Sequence, residues 1–153
     1  MDRVVAAVSL GSNLGDRRAH LDFAVSRLRT ILATLRVSHY RDTDPVGVPD
    51  NQPLFLNAAA VGMTPVNPRE LLESLLAIER ERGRERPFPG AARTLDLDLV
   101  LAGDVVMSEP DLVVPHPRFR DRRFVLEPLA EIAPDLVDPV TELTVVDLLK
   151  RLA

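Results

Sequence analysis

Thr94-Leu95-Asp96-Leu97-Asp98-Leu99-Val100-Leu101-Ala102 sets a leucine at every second position through Leu101, the signature of a strand with one buried face. Neighbouring side chains of a strand point to opposite faces, so Leu95, Leu97, Leu99 and Leu101 are expected to pack one way. Asp96 and Asp98 then stand side by side on the other face. Two carboxylates held that close repel, and an uncompensated pair tends to take up a proton. A divalent cation removes the conflict, and carboxylate oxygens completed by water and phosphate oxygens are the set that magnesium prefers. The competing reading is a solvated sheet face, because Asp-x-Asp alone is only moderately specific.

Working outward, Arg3 to Leu10 alternates as a strand and runs into the turn-rich Gly11-Ser12-Asn13-Leu14-Gly15-Asp16. Leu21, Val25, Leu28, Leu32 and Leu35 fall at helical steps and predict one apolar stripe. A strand is expected over Arg36 to Thr43, closed by Pro45 and Gly47, and a mobile loop over Val48 to Pro53. Phe55 to Met63 predicts a strand with Phe55, Asn57, Ala59 and Val61 on one face. Asn67-Pro68-Arg69-Glu70 is a helix start, with a stripe Leu72, Leu75, Leu76 that brings Glu79 to the same side and a stop near Gly83. Gly103-Asp104 predicts a two-residue hairpin to Val105-Val106-Met107. A short helix around Arg122 to Glu131 and a last one capped by Thr144 complete the chain. Strand, helix, strand, strand, helix, strand is an α+β order, and a mostly antiparallel, ferredoxin-like sheet with helices packed on it is expected from residues 1–153 as a single domain.

The chain has 153 residues, no cysteine and a net charge of −4. Disulfides and thiolate metal sites are thereby excluded. An acidic total argues against a general nucleic-acid binder, whose face must be basic. No apolar run is long enough to span a bilayer and no signal-peptide pattern opens the sequence, so a cytoplasmic protein with no membrane partner is expected. Of the 19 lysines and arginines, nine are arginines within Arg80 to Arg93 and Arg118 to Arg123. Two local arginine clusters suit a small polyanion. Arg80 and Arg82 fit a solvated helix end, whereas Arg84 and Arg93 stand nearer the aspartates, where arginine can pair with phosphate and stabilise developing charge. His116, held between Pro115 and Pro117 beside Arg118 and Arg122, is a candidate phosphate donor. Gly11-Ser12-Asn13 lacks the lysine and spacing of a Walker loop and is expected to be a glycine-dependent turn. Phe55 and Phe124 could be plain core, but an asparagine two residues after Phe55 on the same face could read the edge of a planar heterocycle stacked on the rings.

Five segments together resemble the 6-hydroxymethyl-7,8-dihydropterin pyrophosphokinase family of the folate pathway. They are Leu10 to Asp16, Gln52 to Ala59, Arg93 to Leu99, Val114 to Arg118, and Arg123 to Pro134, in the family's order across nearly the whole chain. The resemblance implies transfer of pyrophosphate from ATP to a hydroxymethyl oxygen, with AMP leaving. It implies two magnesium ions on Asp96 and Asp98, with Arg84, Arg93, Arg122 and His116 on the phosphates and Glu79 on the nucleotide side. Phe55, Asn57 and Phe124 would form the pterin slot, with Thr43, Pro45 and Val46 contributing backbone. The chain departs from the family in lacking Gly-Pro before Arg93 and any tryptophan in that loop. It also carries Phe55 where tyrosine is frequent and Leu76 where some members carry a polar nucleotide contact. Catalysis of this type rests on positioning and charge stabilisation, with loops at 48–52 and 84–92 expected to close over small-molecule substrates. The polar helix faces point to a monomer. The competing classes are a palm-type two-metal nucleotidyl transferase or cyclase, and a non-catalytic nucleotide- or pterin-binding domain.

Overall fold

A computed structural model describes residues 3–43, 54–83 and 94–152. The elements run β1 (Val4–Ser12), α1 (Arg17–Leu28), β2 (Ala33–Val37), β3 (Arg41–Thr43), β4 (Phe55–Thr64), α2 (Pro68–Glu81), β5 (Asp96–Ala102), β6 (Met107–Glu109), β7 (Leu112–Val114), α3 (Arg123–Ile132) and α4 (Val145–Lys150). The main sheet is ordered β2-β4-β1-β5, with β3 also pairing with β4. Every pairing in it is antiparallel. With β2 and β3 sharing the second strand position, this is the split βαβ arrangement of a ferredoxin-like sheet. Among the described residues no helix is long and apolar enough to cross a membrane.

The sheet separates two cores. Ala6, Val8, Leu10, Ala58, Leu97 and Leu99 face α1 and α2. Ala7, Ala59, Val61, Val100 and Leu101 face α3 and α4. Caps set the helix starts: the Ala19 N–H donates to Asp16 Oδ1 at 3.1 Å, the Glu70 N–H to Asn67 Oδ1 at 2.9 Å, and the Asp147 N–H to Thr144 Oγ1 at 3.2 Å. Gly83, at φ +77, ends the turn after α2 in a conformation that other residues resist.

Several sequence expectations change. Helix α1 stops at Leu28, so Leu32 is buried in the following turn and Leu35 belongs to β2. Helical spacing simply outlasted the helix. The strand expected over 36–43 is two strands, β2 and β3, with the backbone between them turned to let the Ser38 hydroxyl accept from the Ala59 N–H at 2.9 Å. In α2 the buried stripe is Leu71, Leu75 and Ile78 with Glu79, and Leu72 and Leu76 flank it half-buried. Gly103-Asp104 does make a turn, closed by the Val105 N–H on the Ala102 carbonyl at 3.1 Å, but β6 does not pair with β5. The hairpin forms one step later, where β6 pairs with β7 around Pro110-Asp111, and Arg69 of α2 grips its tip at Glu109 and, at 2.7 Å, at Asp111.

Leu101 also departs from its expected side. Ala7 pairs with Leu101 but the next residue, Val8, pairs with Leu99, so Val100 is an extra residue on β5. This bulge puts Val100 and Leu101 together in the α3–α4 core and leaves Leu95, Leu97 and Leu99 in the other. Nor is Gly11 a turn residue: it lies within β1.

After β7 the Val114–Pro115 bond is cis, and a single 3-10 turn, Phe119–Asp121, leads into α3. Asp138, fully buried, fastens that turn from below. It accepts from Arg120 Nε at 2.5 Å and Nη2 at 2.9 Å, from the Val140 N–H at 3.0 Å and from Thr141 Oγ1 at 2.7 Å. Burial by itself would raise this carboxyl, but the donors outweigh it and hold the pKa down at about 2.

Candidate active site

Pairing across four strands builds the site. Arg41 of β3 lies opposite Asn57 of β4, Asn57 opposite Gly11 of β1, and Gly11 opposite Asp96 of β5. One step along, Ala59, Ser9 and Asp98 form the next row. These residues share the face against which α3 and α4 pack, the helices burying it at Ala59 while Asp96 and Asp98 stay half-exposed. At about 4.8 Å per strand, the Asn57 and Asp96 backbones lie roughly 10 Å apart with Gly11 between them.

Gly11 is the floor. A Cβ there would stand 3.0 Å from Asn57 Oδ1 and 3.6 Å from the Phe55 ring. Asn57 is 4 % exposed, and its amide donates to Thr43 Oγ1. With its NH2 group so anchored, the amide is fixed against the bare Gly11 backbone. A planar ligand could lie flat there.

Between β3 and α3 a cavity of about 390 Å³ is lined by Arg41, Thr43, Arg122, Phe124, Glu127 and Pro128 among others. The Arg122 guanidinium sits 5.4 Å from the Phe124 ring centre, a cation–π contact that steadies both side chains. Arg41 bridges to Glu127 at 3.3 Å and Glu131 at 2.8 Å. Arg41 and Glu127 escaped the sequence reading. Arg41 could have been found, since it stands two residues before Thr43 on one strand and so shares its face.

At the other end, Asp96 and Asp98 are half-buried on the open face. His116 reaches them from the loop after β7. Its N–H donates to the Val100 carbonyl at 2.7 Å, and the Arg118 N–H donates to its Nδ1 at 3.1 Å. With Nδ1 accepting, the neutral ring carries its proton on Nε2 and offers a donor there. Burial lowers its pKa, Arg122 and Arg118 lower it further, and Asp96 pulls the other way. Asp96, Arg118 and Arg122 thus all lie within electrostatic reach of His116.

The structure therefore sets Asp96 and Asp98 near His116 at one end and Thr43, Phe55 and Asn57 at the other, with Arg122 between them, acting on His116 by charge and stacked on Phe124 beside the cavity that Thr43 also lines. Glu79 stands apart, 2 % exposed at the end of α2, with Oε2 accepting from the Leu97 N–H at 2.7 Å. Pro45, Val46, Arg84 and Arg93, with the loops expected at 48–53 and 84–92, lie outside the described residues. Arg82 is no solvated helix end: its Nε donates to His20 Nδ1 at 2.8 Å and its guanidinium lies over Phe23.

Among the described residues no group of three or more His, Cys, Asp or Glu side chains converges on a metal position. Two carboxylates alone suit a hard cation that completes its shell with water and phosphate oxygens, so the donor set fits magnesium carried in with a triphosphate.

Comparison with known proteins places the chain in a family. The family described as 7,8-dihydro-6-hydroxymethylpterin-pyrophosphokinase (HPPK) matches residues 7–134. A Bacillus subtilis protein named 2-amino-4-hydroxy-6-hydroxymethyldihydropteridine pyrophosphokinase is 45% identical over 130 residues, covering 84% of this chain and 77% of its own. The folic acid synthesis protein fol1 of Pneumocystis carinii is 35% identical over 153 residues, covering 99% of this chain and only 20% of its own. A crystal structure of wild-type Plasmodium falciparum HPPK-DHPS superposes with a TM-score of 0.75 at 15% identity, covering 98% of this chain and 45% of that one, a likeness of fold. With the family's match running from the middle of β1 to just past α3, the chain belongs to the 7,8-dihydro-6-hydroxymethylpterin-pyrophosphokinase family.

Proposed function

We propose that this chain transfers pyrophosphate from ATP to the hydroxymethyl group of 6-hydroxymethyl-7,8-dihydropterin in folate synthesis, with Asp96 and Asp98 holding two magnesium ions on the triphosphate. The observation that carries this reading is the row Asn57–Gly11–Asp96. It sets an amide that can read a heterocycle's edge and a carboxylate pair that can hold a metal at opposite ends of one bare strip of sheet.

In the reaction the hydroxymethyl oxygen attacks the β-phosphorus, the bond from that phosphorus to the α,β-bridging oxygen breaks, and AMP departs with it. The hydroxyl proton is released to solvent. Magnesium, when bound, neutralises the triphosphate oxygens and stabilises the charge that builds on them. The chain supplies position. The pterin lies on Gly11 between Phe55 and Phe124, with Asn57, Thr43, Pro45 and Val46 along its edge. The Nε2–H of His116 and the guanidinium groups of Arg84, Arg93 and Arg122 hold the phosphates. Membership of this family disfavours the palm-type alternative. The protein acts as a cytoplasmic monomer and a single domain in this reading.

Phosphorus NMR with ATP, magnesium and the pterin tests it. AMP and a pterin diphosphate should appear together, and only when the pterin is present. ADP with inorganic phosphate would overturn it.

Gly11→Ala tests the slot. The added methyl must displace the Asn57 amide by a few tenths of an ångström or take the pterin's place, and calorimetric pterin affinity should fall about tenfold, roughly 1.4 kcal/mol. ATP affinity and melting temperature should hold. An unchanged pterin affinity would remove Gly11 from the floor.

A further inference from the structure

We propose that Glu79 is a positioning residue for the aspartate pair: its carboxylate fixes the peptide between Asp96 and Asp98, and it acts on ATP turnover through that strand. This stands in place of the direct nucleotide contact that the resemblance implies, and it rests on the metal role of the two aspartates.

Strand β5 ends the sheet among the described strands, with β1 on one side. Along such a strand alternate N–H groups point inward to the neighbour and outward from the sheet. The Leu97 N–H is one of the outward ones, and Glu79 Oε2 takes it at 2.7 Å. Leu97 is the residue between the two aspartates and its N–H lies in the Asp96–Leu97 peptide, so this bond fixes the plane that adjoins Asp96 and, through Leu97, the backbone that leads to Asp98. Its side chain is buried in the α1–α2 core, 5 % exposed, on the face opposite the aspartates. The strand is thus held from beneath by packing and, between the two aspartates, by the hydrogen bond that Glu79 accepts at its edge.

Glu79 is too deep to reach a ligand on the open face, at 2 % exposure. Burying a carboxylate costs several kcal/mol unless its bonds repay it, so a purely space-filling role would be better served by leucine. Helix α2 delivers it because the buried Leu75 and Leu71, one and two turns upstream, and the adjacent Ile78 lock the helix register. A shift of about 1 Å at groups that position phosphates lowers rates about a hundredfold, which is the scale on which such a strut acts.

The test compares Glu79→Gln, which keeps an acceptor oxygen of the same reach, with Glu79→Leu, which keeps the volume and loses the acceptor. The first readout is the Leu97 amide in the protein without substrates. Its proton resonance should lie downfield and exchange slowly in the parent and in Glu79→Gln. In Glu79→Leu it should move upfield and exchange fast. The second is steady-state kinetics with a magnesium titration. Glu79→Gln should hold kcat and the ATP KM within about threefold, whereas Glu79→Leu should lose about ten- to a hundredfold in kcat and need more magnesium. Pterin affinity measured alone should not change in either.

If Glu79→Gln raises the ATP KM tenfold with the Leu97 amide unmoved, the carboxylate touches nucleotide or metal directly and the proposal fails. If Glu79→Leu is unstable but its kcat and magnesium dependence are those of the parent, Glu79 only braces the fold, and the proposal fails again. Should Glu79→Leu fail to fold, the Glu79→Gln arm decides by itself. Inactivity of Asp96→Ala and Asp98→Ala tests the metal reading separately, since the amide signal reports the strut whatever the aspartates do.

Discussion

Asp96→Ala and Asp98→Ala are each expected to abolish turnover, by at least about a thousandfold, while the protein still folds. The size follows from what the pair does: removing one carboxylate strips a metal–triphosphate site of half its protein ligands, and metal stabilisation of a phosphoryl-type transition state is worth several kcal/mol. The folding half of the expectation follows from placement. Both side chains are half-buried on the open face, whereas the strand's grip on the molecule comes from Leu95, Leu97 and Leu99 beneath and from pairing with β1. Alanine leaves that pairing and packing in place. AMP release should vanish, the melting temperature should stay within a few degrees, and manganese bound with ATP, read by its paramagnetic signal, should weaken. Full activity in either variant would defeat the metal assignment.

Asp138→Ala should give the largest loss of stability in the chain, about 3–5 kcal/mol, because it leaves Arg120 and two further donors, the Val140 N–H and the Thr141 hydroxyl, around a vacated buried position. For a domain of this size that lowers the melting temperature by roughly 10 °C. The loss should reach activity as well, since Arg120 anchors the turn between His116 and Arg122. The same group sets an acid limit. A folded pKa of about 2, below the ordinary 3.8, means the unfolded chain binds the proton more readily. The stabilisation is complete above pH 3.8 and is lost as pH falls toward 2. Urea unfolding of the parent at pH 5 and pH 3 should show that fall, and the variant should show less of it. Equal pH dependence in the two would assign the acid limit to other carboxyls.

Much of this fold was legible because its signals are local. The Asn67 and Thr144 caps, the Pro68 start and the Gly83 stop each depend on a few neighbouring residues, and all stand where expected. The failures share a cause. Leu32 and Leu35 continue a helical spacing, but only contact with the sheet decides that the chain leaves the helix at Leu28. Gly103-Asp104 announces a turn without saying which strand will answer it. The site shows the same division. Asp96, Asp98, Asn57 and His116 carry chemistry in their residue types and spacing, so they could be named. Gly11 as a floor and Glu79 at the Leu97 N–H depend on strands and helices far away in the chain, and only the tertiary register reveals them.

That register carries one more meaning. Continue β5 in ordinary alternation from its Ala7–Leu101 pair, without the extra Val100, and Asp98 falls opposite Leu10, pointing with Asp96 into the leucine layer under α1 and α2. Two charges would be entombed there, each at a cost of several kcal/mol. The slipped pairing is thus proofread by the residues the reaction needs: the charges that serve turnover also veto the wrong zipper, and one surplus valine lets the strand obey them at one end and still seal its hydrophobic layer at the other.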